Sequence, residues 1–307
     1  MKVVALSGGV GGAKLAFGLN RMIASDDLTI IANTGDDFCH HGLPVSPDID
    51  TLIYTLSGLN DDVRGWGLRD ETWAFMGALE KLGGETWFNL GDRDLAMHVL
   101  RREAFDKGQS LSTVTEYFRR TLGISARILP MSDTSVSTIV ETVEEGMLPF
   151  QRYFVQRQSL PKVTGFRFEG VAQALPPSGL LSAIQEADRI VICPSNPFIS
   201  IDPILAVPGI RHSLIEASAP VIAISPIVNG EAIKGPTAKM FKELGSTPSP
   251  IAVVEKYKDF LNVMVIDETD AETSNMCKIH GVEVKVAQTV MRTDADKVAL
   301  AEYILRL

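Results

Sequence analysis

One stretch of the chain, "ANTGDDFCHHGLPVSPDIDTLIY" (32–54), carries Asp36, Asp37, Asp48 and Asp50 together with His40 and His41. A second, "ALSGGVGGAKLAFGL" (5–19), sets Gly8, Gly9, Gly11 and Gly12 between an apolar run and an apolar helical pattern. A glycine turn that opens a helix offers unsatisfied backbone N–H groups to an anion. Carboxylates beside a phosphate repel it unless a cation stands between them. Mg²⁺ answers that problem, because it takes few carboxylates and fills its shell with phosphate oxygens and water. A spare carboxylate could accept a proton from an attacking hydroxyl. The blander readings are a tight turn, a helix cap at Asp48 or Asp50, and solvated loop residues at His40 and His41.

The glycine turn satisfies neither familiar nucleotide template. Counted from Gly9, a dinucleotide fingerprint puts Lys14 where a third small residue belongs. Counted from Gly8, a phosphate-binding loop of the G-x-x-x-x-G-K-[ST] type lacks both the glycine before Lys14 and the hydroxyl after it. Two later loops also follow strands. "CPSNPFISIDPIL" (193–205) offers Ser195 and Asn196, and "SPIVNGEAIKGPTAKM" (225–240) offers the cation Lys234. "NLGDRDLAMH" (89–98) opens a helix, with Asp92 or Asp94 as its cap and Asn89 and Arg93 free to face a cleft.

The elements that must position these loops alternate. "KVVAL" (2–6) and "LTIIAN" (28–33) read as strands around a helix with Leu15, Leu19 and Met22 on one face. That is the opening of a doubly wound, mostly parallel Rossmann-like α/β sheet, whose ligands lie at the carboxyl ends of strands. Residues 59–123 read as a helical insertion, so the α/β core is 1–58 and 124–307. Trp66, Trp73, Trp87 and Phe88 belong to or border that insertion, as core of its lobe or as a lid over a ring. "VSTIVETVEE" (136–145) and "PFQRYFVQR" (149–157) alternate like antiparallel strands with one wet face. Strand and helix signals then resume through 189–193, 210–218, 220–225, 237–244, 263–267 and 282–287. Ser249 and Pro250 start a helix. The terminal helix, in "TDADKVALAEYILRL", turns Val298, Ala301 and Leu305 inward.

A net charge of −9 opposes a nucleic-acid partner, which needs a basic footprint. No apolar run is long enough for a membrane span. Cys39, Cys193 and Cys277 are too scattered for a thiolate metal site, and a cytoplasmic protein is expected.

"LSGGVGGAKLAFGL", "NTGDDF…HGLPVSPDIDT", "FNLGDRDLA", "CPSNPFISIDPIL" and "ISPIVNGEAIKGP" together resemble, in order and wording, the 2-phospho-L-lactate transferases of coenzyme F-420 biosynthesis. The resemblance spans the chain. It implies that a phospholactyl group passes from lactyl-2-diphospho-5′-guanosine to the terminal ribityl hydroxyl of the deazaflavin Fo (7,8-didemethyl-8-hydroxy-5-deazariboflavin). GMP leaves, coenzyme F-420-0 forms, and Mg²⁺ is required. It also implies a homodimer, and Fo contacts at Asp50 and Asn89, with Arg93 beside them. The residues fit such a reaction: Gly8, Gly9, Gly11 and Gly12 for the diphosphate, Ser195, Asn196 and Lys234 for guanosine and phosphate, and Asp36, Asp37 and Asp50 as unranked metal or base candidates, with Asp50 and Asp37 the catalytic pair. Asp50→Asn is expected to abolish transfer and keep the fold. A non-catalytic nucleotide or nucleotide-sugar binding regulator is the alternative, and an NAD-dependent oxidoreductase a weaker one.

Overall fold

The computed structural model describes residues 1–273 and 281–307, so Cys277 lies outside the described residues. Its centre is a seven-stranded sheet in the order β14-β13-β10-β9-β1-β2-β5. These strands are β1 (Val3–Ser7), β2 (Leu28–Ala32), β5 (Arg127–Pro130), β9 (Arg189–Ile192), β10 (Val221–Ile224), β13 (Val263–Asp267) and β14 (Glu283–Ala287). Every adjacent pair in it is parallel, with Ala5 set against Ile30 on one side and Val191 on the other. Both faces of the sheet are covered, and its inner strands are therefore apolar without alternation. The pleat sends Val4, Leu6, Ile31 and Ile192 into one core and Val3, Ala5, Ile30 and Val191 into the other.

The second core is closed by α1 (Gly9–Met22), α2 (Pro47–Ser57), α4 (Asp94–Asp106), α5 (Leu111–Thr121) and the terminal α11 (Asp294–Arg306). The first is closed by α6 (Leu180–Gln185), α7 (Asp202–Ala206), α8 (Ile210–Ile215), α9 (Thr237–Glu243) and α10 (Pro250–Tyr257). Helices α1 and α11 approach closely, since a Cβ at Gly18 would stand 2.0 Å from the Lys297 carbonyl oxygen. Smaller pieces are the hairpins β3 (Phe38–His40) with β4 (Leu43–Val45) and β11 (Ile227–Val228) with β12 (Glu231–Ala232). An antiparallel trio is formed by β6 (Ser137–Thr142), β7 (Gly146–Pro149) and β8 (Val163–Glu169).

The chain runs from β1 outward to β2 and β5 on one side, and β9 through β14 fill the other. The strand order thus reverses between β1 and β9, so the loops that follow them, 8–12 and 193–200, meet at the switch point.

In 59–123 the helices are α3 (Ala74–Lys81), α4 and α5. Met97, Ala104, Val114 and Phe118 of the last two join the core shared with α1 and α2. The segment with α3 has its own small cluster around Val45, Met76 and Leu90. Its two helix starts are capped crosswise. Asp92 accepts the Ala74 and Phe75 amides and so caps α3, whereas Glu71 accepts the Arg93 and Asp94 amides of α4.

Three local expectations need correction. The alternation at 149–157 is not a strand: β7 ends at Pro149, and a π-helical turn covers Arg152–Gln156. Phe150 and Tyr153 are buried there and Phe154 stacks on Phe150 at 5.3 Å, which is helical spacing. The true partner of β6 on its other side is β8. Helix α11 buries Lys297, Leu300, Ala301 and Ile304, so of its expected inner face Ala301 is buried, Leu305 packs partly against the core and Val298 is half-buried; Met22 of α1 is exposed. Lys297 can face inward because its Nζ reaches Asp294 and lies over the Phe17 ring. Among the described residues no helix is long and apolar enough to cross a membrane.

Candidate functional site

Helix α1 begins at Gly9, so most of the glycine turn is already its first turn. Three of the four glycines serve protein packing. A Cβ at Gly8 would lie 2.6 Å from Ser200 Cβ, at Gly11 2.4 Å from the Pro194 carbonyl oxygen, and at Gly12 2.4 Å from Ser7 Oγ. Gly9 alone combines positive φ (+67°) with open space around its missing side chain. The Gly8 amide donates to Ser195 Oγ (3.2 Å), which ties the β1 and β9 loops together. The Gly9 amide donates to Asp48 Oδ1 (2.7 Å). A carboxylate thus already stands at the positive end of α1, where a phosphate oxygen would also be favoured.

Proline at the first position starts α2, and Asp48 and Asp50 fall in its first turn. Neither caps its own helix, and Ser46 before it donates instead to Asp37 Oδ2 (2.6 Å). Asn33 orders the rest, with Nδ2 donating to Asp48 Oδ2 (2.9 Å) and Oδ1 accepting from the Gly35 amide (2.8 Å). Asp36 and Asp48 are buried, and Asp37 is half-buried. Burial, with repulsion from Asp48, drives the Asp36 carboxyl well above the usual range. Burial does the same for Asp37 and pushes Asp48 up to about 6. Asp36 Oδ1 and Asp37 Oδ1 are buried without a hydrogen-bond partner.

Asp50 is different. Both its oxygens are taken by the Arg101 guanidinium, through a close contact to Oδ1 and a 3.2 Å bond to Oδ2. Arg101 also donates to the Pro44 carbonyl (3.2 Å) and lies over the Phe118 ring. His98 Nδ1 is 3.8 Å from Asp50 Oδ2, and its Nε2 is 3.2 Å from Asp94 Oδ2. Tyr54 closes the network by donating to Asp94. A buried polar bridge therefore fastens α2 to α4. Among the described residues, the acid and histidine ligand atoms that converge within 4.8 Å are those of Asp50, Asp94 and His98. Asp36, Asp37 and Asp50 do not form such a trio.

The other expected positions scatter. Asn196 caps the turn after it, its Oδ1 accepting from the Phe198 amide (2.9 Å). Lys234 donates to the Gly65 carbonyl (2.8 Å), and burial, then the nearby Lys14 charge, lowers its pKa. Asn89 and Arg93 are exposed. Lys14 donates to the Met291 carbonyl (2.9 Å). Cys193 is buried and its thiol pushed up to about 12, which removes it as a nucleophile.

A cavity of about 420 Å³ opens beside the acidic loop, lined by Asp36, Asp37, Phe38, His40, Trp87 and Phe150 among others. The expectation that His40 is solvated fails, for it is only 4% exposed. It ends β3, and the hairpin folds it against Trp87 and Phe88 at 5.0 and 5.7 Å between ring centroids. Trp87 and Phe88 are half-buried walls of this region, and Trp66 packs edge-on against Trp73 at 6.0 Å. Sequence reading missed Asn33, His98 and Arg101. The last two carried a signal, because both lie on the buried face of α4 three residues apart.

The family described as 2-phospho-L-lactate transferase CofD matches residues 3–303. A phosphoenolpyruvate transferase of Kitasatospora aureofaciens is 39% identical over 305 residues, covering 97% of this chain and 95% of that protein. A 2-phospho-L-lactate transferase of Methanopyrus kandleri is 38% identical over 311 residues, covering 100% and 97%. A solved structure of a UPF0052-family protein from Bacillus halodurans has a TM-score of 0.65 at 16% identity and covers 99% of this chain and 98% of that one, a likeness of fold.

Proposed function

This chain belongs to the 2-phospho-L-lactate transferase (CofD) family of coenzyme F-420 biosynthesis, and from that premise we propose that it moves a 2-phospholactyl group from lactyl-2-diphospho-5′-guanosine to the ribityl hydroxyl of Fo. The observation that carries this reading is a connected path: Asp48 joins the Gly9 amide at the start of α1 to Asn33 of the acidic loop, and that loop, through Asp36 and Asp37, lines the aromatic cavity. An anionic donor at Gly9, a neutralising cation and a planar acceptor each find a matching surface.

The acidic set fits Mg²⁺. Two buried carboxylate oxygens lack partners, and the Asp36 and Asp48 carboxyls disfavour their own charge where they stand. A divalent cation relieves both costs. Asp36 would hold it through its unpartnered Oδ1, with Asp48 beside it through the lone pairs that its bonds from Gly9 and Asn33 leave. Asp50, whose oxygens are spent on Arg101, is assigned to the acceptor side. When bound, Mg²⁺ supplies charge neutralisation on the phosphate oxygens.

The chain's own residues do the rest. Gly9 leaves room for the diphosphate, and Ser195, Asn196 and Lys234 line its approach. The cavity walls Phe38, Trp87 and Phe150 hold the deazaflavin ring, with Asn89 and Arg93 toward solvent. Asp37 is the better base of the two candidates, because burial raises its proton affinity and one oxygen is free. The reacting hydroxyl gives its proton to Asp37, its oxygen bonds to the phosphorus that bears lactate, and the bond from that phosphorus to the bridging oxygen breaks, releasing GMP.

The test is purified protein with Fo, Mg²⁺ and each of the lactyl, phosphoenolpyruvyl and phosphoglyceryl guanosine donors. GMP and the coupled deazaflavin are followed by mass. GMP release only when Fo is present supports the reading. Nucleotide binding with no Fo-dependent GMP supports the regulator instead. Metal linkage gives a second check. Carboxyls raised by folding contribute stability below their unfolded pKa and lose it as pH rises through the folded value. Metal-free protein should therefore lose melting temperature between pH 4 and 7 as Asp48 ionises near 6. Mg²⁺ should restore several degrees at pH 7.5 and almost none at pH 5. A Mg²⁺ effect equal at both pH values would contradict the assignment.

A further inference from the structure

We infer that His40 is a specificity-determining residue, whose Nε2 accepts a hydrogen bond from an N–H or O–H on the ring edge of a planar heteroaromatic acceptor in the cavity. The inference rests on the acceptor reading above and names the side chain that would recognise the ring.

His40 is buried, yet its Nε2 has no partner among the described residues. Buried polar atoms are nearly always paired, so one left open on a cavity wall needs an explanation. The surrounding donors are already engaged. His41 Nε2 pairs with the Glu85 carbonyl at 2.8 Å. Arg152 reaches the Glu85 carboxylate at 3.1 Å while its guanidinium lies 4.5 Å over the Trp87 ring. The Gln151 amide donates to the Asp36 carbonyl at 3.1 Å. Burial, with the neighbouring His41, holds the imidazole neutral and brings its pKa down to about 4. A neutral imidazole carries one N–H and one lone pair, so an unpartnered Nε2 can present the lone pair.

The walls fix what can reach that lone pair. Phe38, Trp87 and Phe88 pack on the His40 ring at 5.8, 5.0 and 5.7 Å between centroids, and His40, Phe38, Trp87 and Phe150 line the cavity together. An aromatic lining of this kind favours a flat ring. A buried acceptor atom in that lining rewards a ring-edge donor and penalises a ring without one. A hydroxy-deazaflavin carries both an imide N–H and a phenolic O–H, and either satisfies the site.

The experiment compares wild type, His40→Phe and His40→Gln, using Fo and an Fo analogue methylated at its ring donors. Removing the acceptor in His40→Phe should raise KM for Fo about tenfold, with kcat and KM for the guanosine donor changed less than about twofold. His40→Gln, which keeps an acceptor oxygen, should recover part of the loss. Wild type should discriminate against the methylated analogue, and His40→Phe should not. An unchanged KM for Fo in a folded His40→Phe protein overturns the inference. So does an equal loss in both variants that also lowers melting temperature, which marks a purely structural ring. Fo binding is measured in parallel by quenching of protein fluorescence. If wild type turns over no deazaflavin, the acceptor reading fails, and weaker Fo quenching in His40→Phe than in wild type still decides the role of His40.

Discussion

Asp50→Asn is expected to remove transfer activity and to lower the melting temperature by about 10 °C. The stability loss follows from burial. Arg101 is fully buried and held charged by Asp50 against the cost of desolvation. Taking away one partner of a buried ion pair typically costs ~3–5 kcal/mol, because the other charge is left uncompensated. In a chain of this size each kcal/mol is worth about 2–4 °C. Asparagine keeps the shape and one acceptor, so the loss isolates the charge. The sequence alone suggested a variant that stays folded, and the pair with Arg101 is what alters that expectation. The two effects separate in a double variant. Adding Arg101→Met removes the stranded charge and should return most of the melting temperature. Activity should remain lost, because Asp50 is assigned to the acceptor. Restored stability together with restored transfer would show that Asp50 acts only by holding α4 to α2.

The parallel sheet was legible because its strands are short apolar runs cut by glycine or polar loops, as at "VVALS" and "VIAI". The helix start at Ser249 was legible for the same local reason, and its side chain accepts the expected amide. What escaped was decided by contacts across the fold. Alternation at 149–157 looked like a strand, but the packing of Phe150 on Phe154 wound it into a turn. The glycines at 8, 11 and 12 looked like room for a ligand and are largely room for Ser200, Pro194 and Ser7. The carboxylates illustrate this best. Their presence and spacing were plain in "GDDF" and "SPDID", but their ranking depended on Ser46, Asn33 and Arg101, which no spacing rule joins to them. His40 was misjudged because a residue in a polar loop is presumed wet, and only the hairpin fold places it against Trp87.

Asp37→Asn should show the opposite balance to Asp50→Asn, a large loss of rate with no loss of stability. Asp37 has no cation bonded to its carboxylate. Among the described residues its hydrogen-bond partner is the Ser46 hydroxyl, which donates to it and can donate equally to an asparagine oxygen. Burial penalises the Asp37 charge, so the neutral amide should leave the melting temperature at pH 7.5 equal or higher. The loss of a positioned base is worth about 10²–10⁴-fold in rate, and kcat should fall by that order. The pH profile ties the loss to the proton. A base whose pKa is raised gives a kcat that climbs with pH through a limb above the ordinary carboxylate range, and Asp37→Asn should flatten that limb. The affinity for GDP should stay within about twofold, since the diphosphate is held at Gly9 and not at the base. If Asp37→Asn turns over at the wild-type rate, the proton goes elsewhere, and Asp36 or Asp48 would have to serve as base in addition to holding the cation. A preserved kcat with a destabilised fold would reduce Asp37 to a partner of Ser46. A fall in kcat with the fold intact and the acid limb gone is what the partly buried, half-satisfied carboxylate demands.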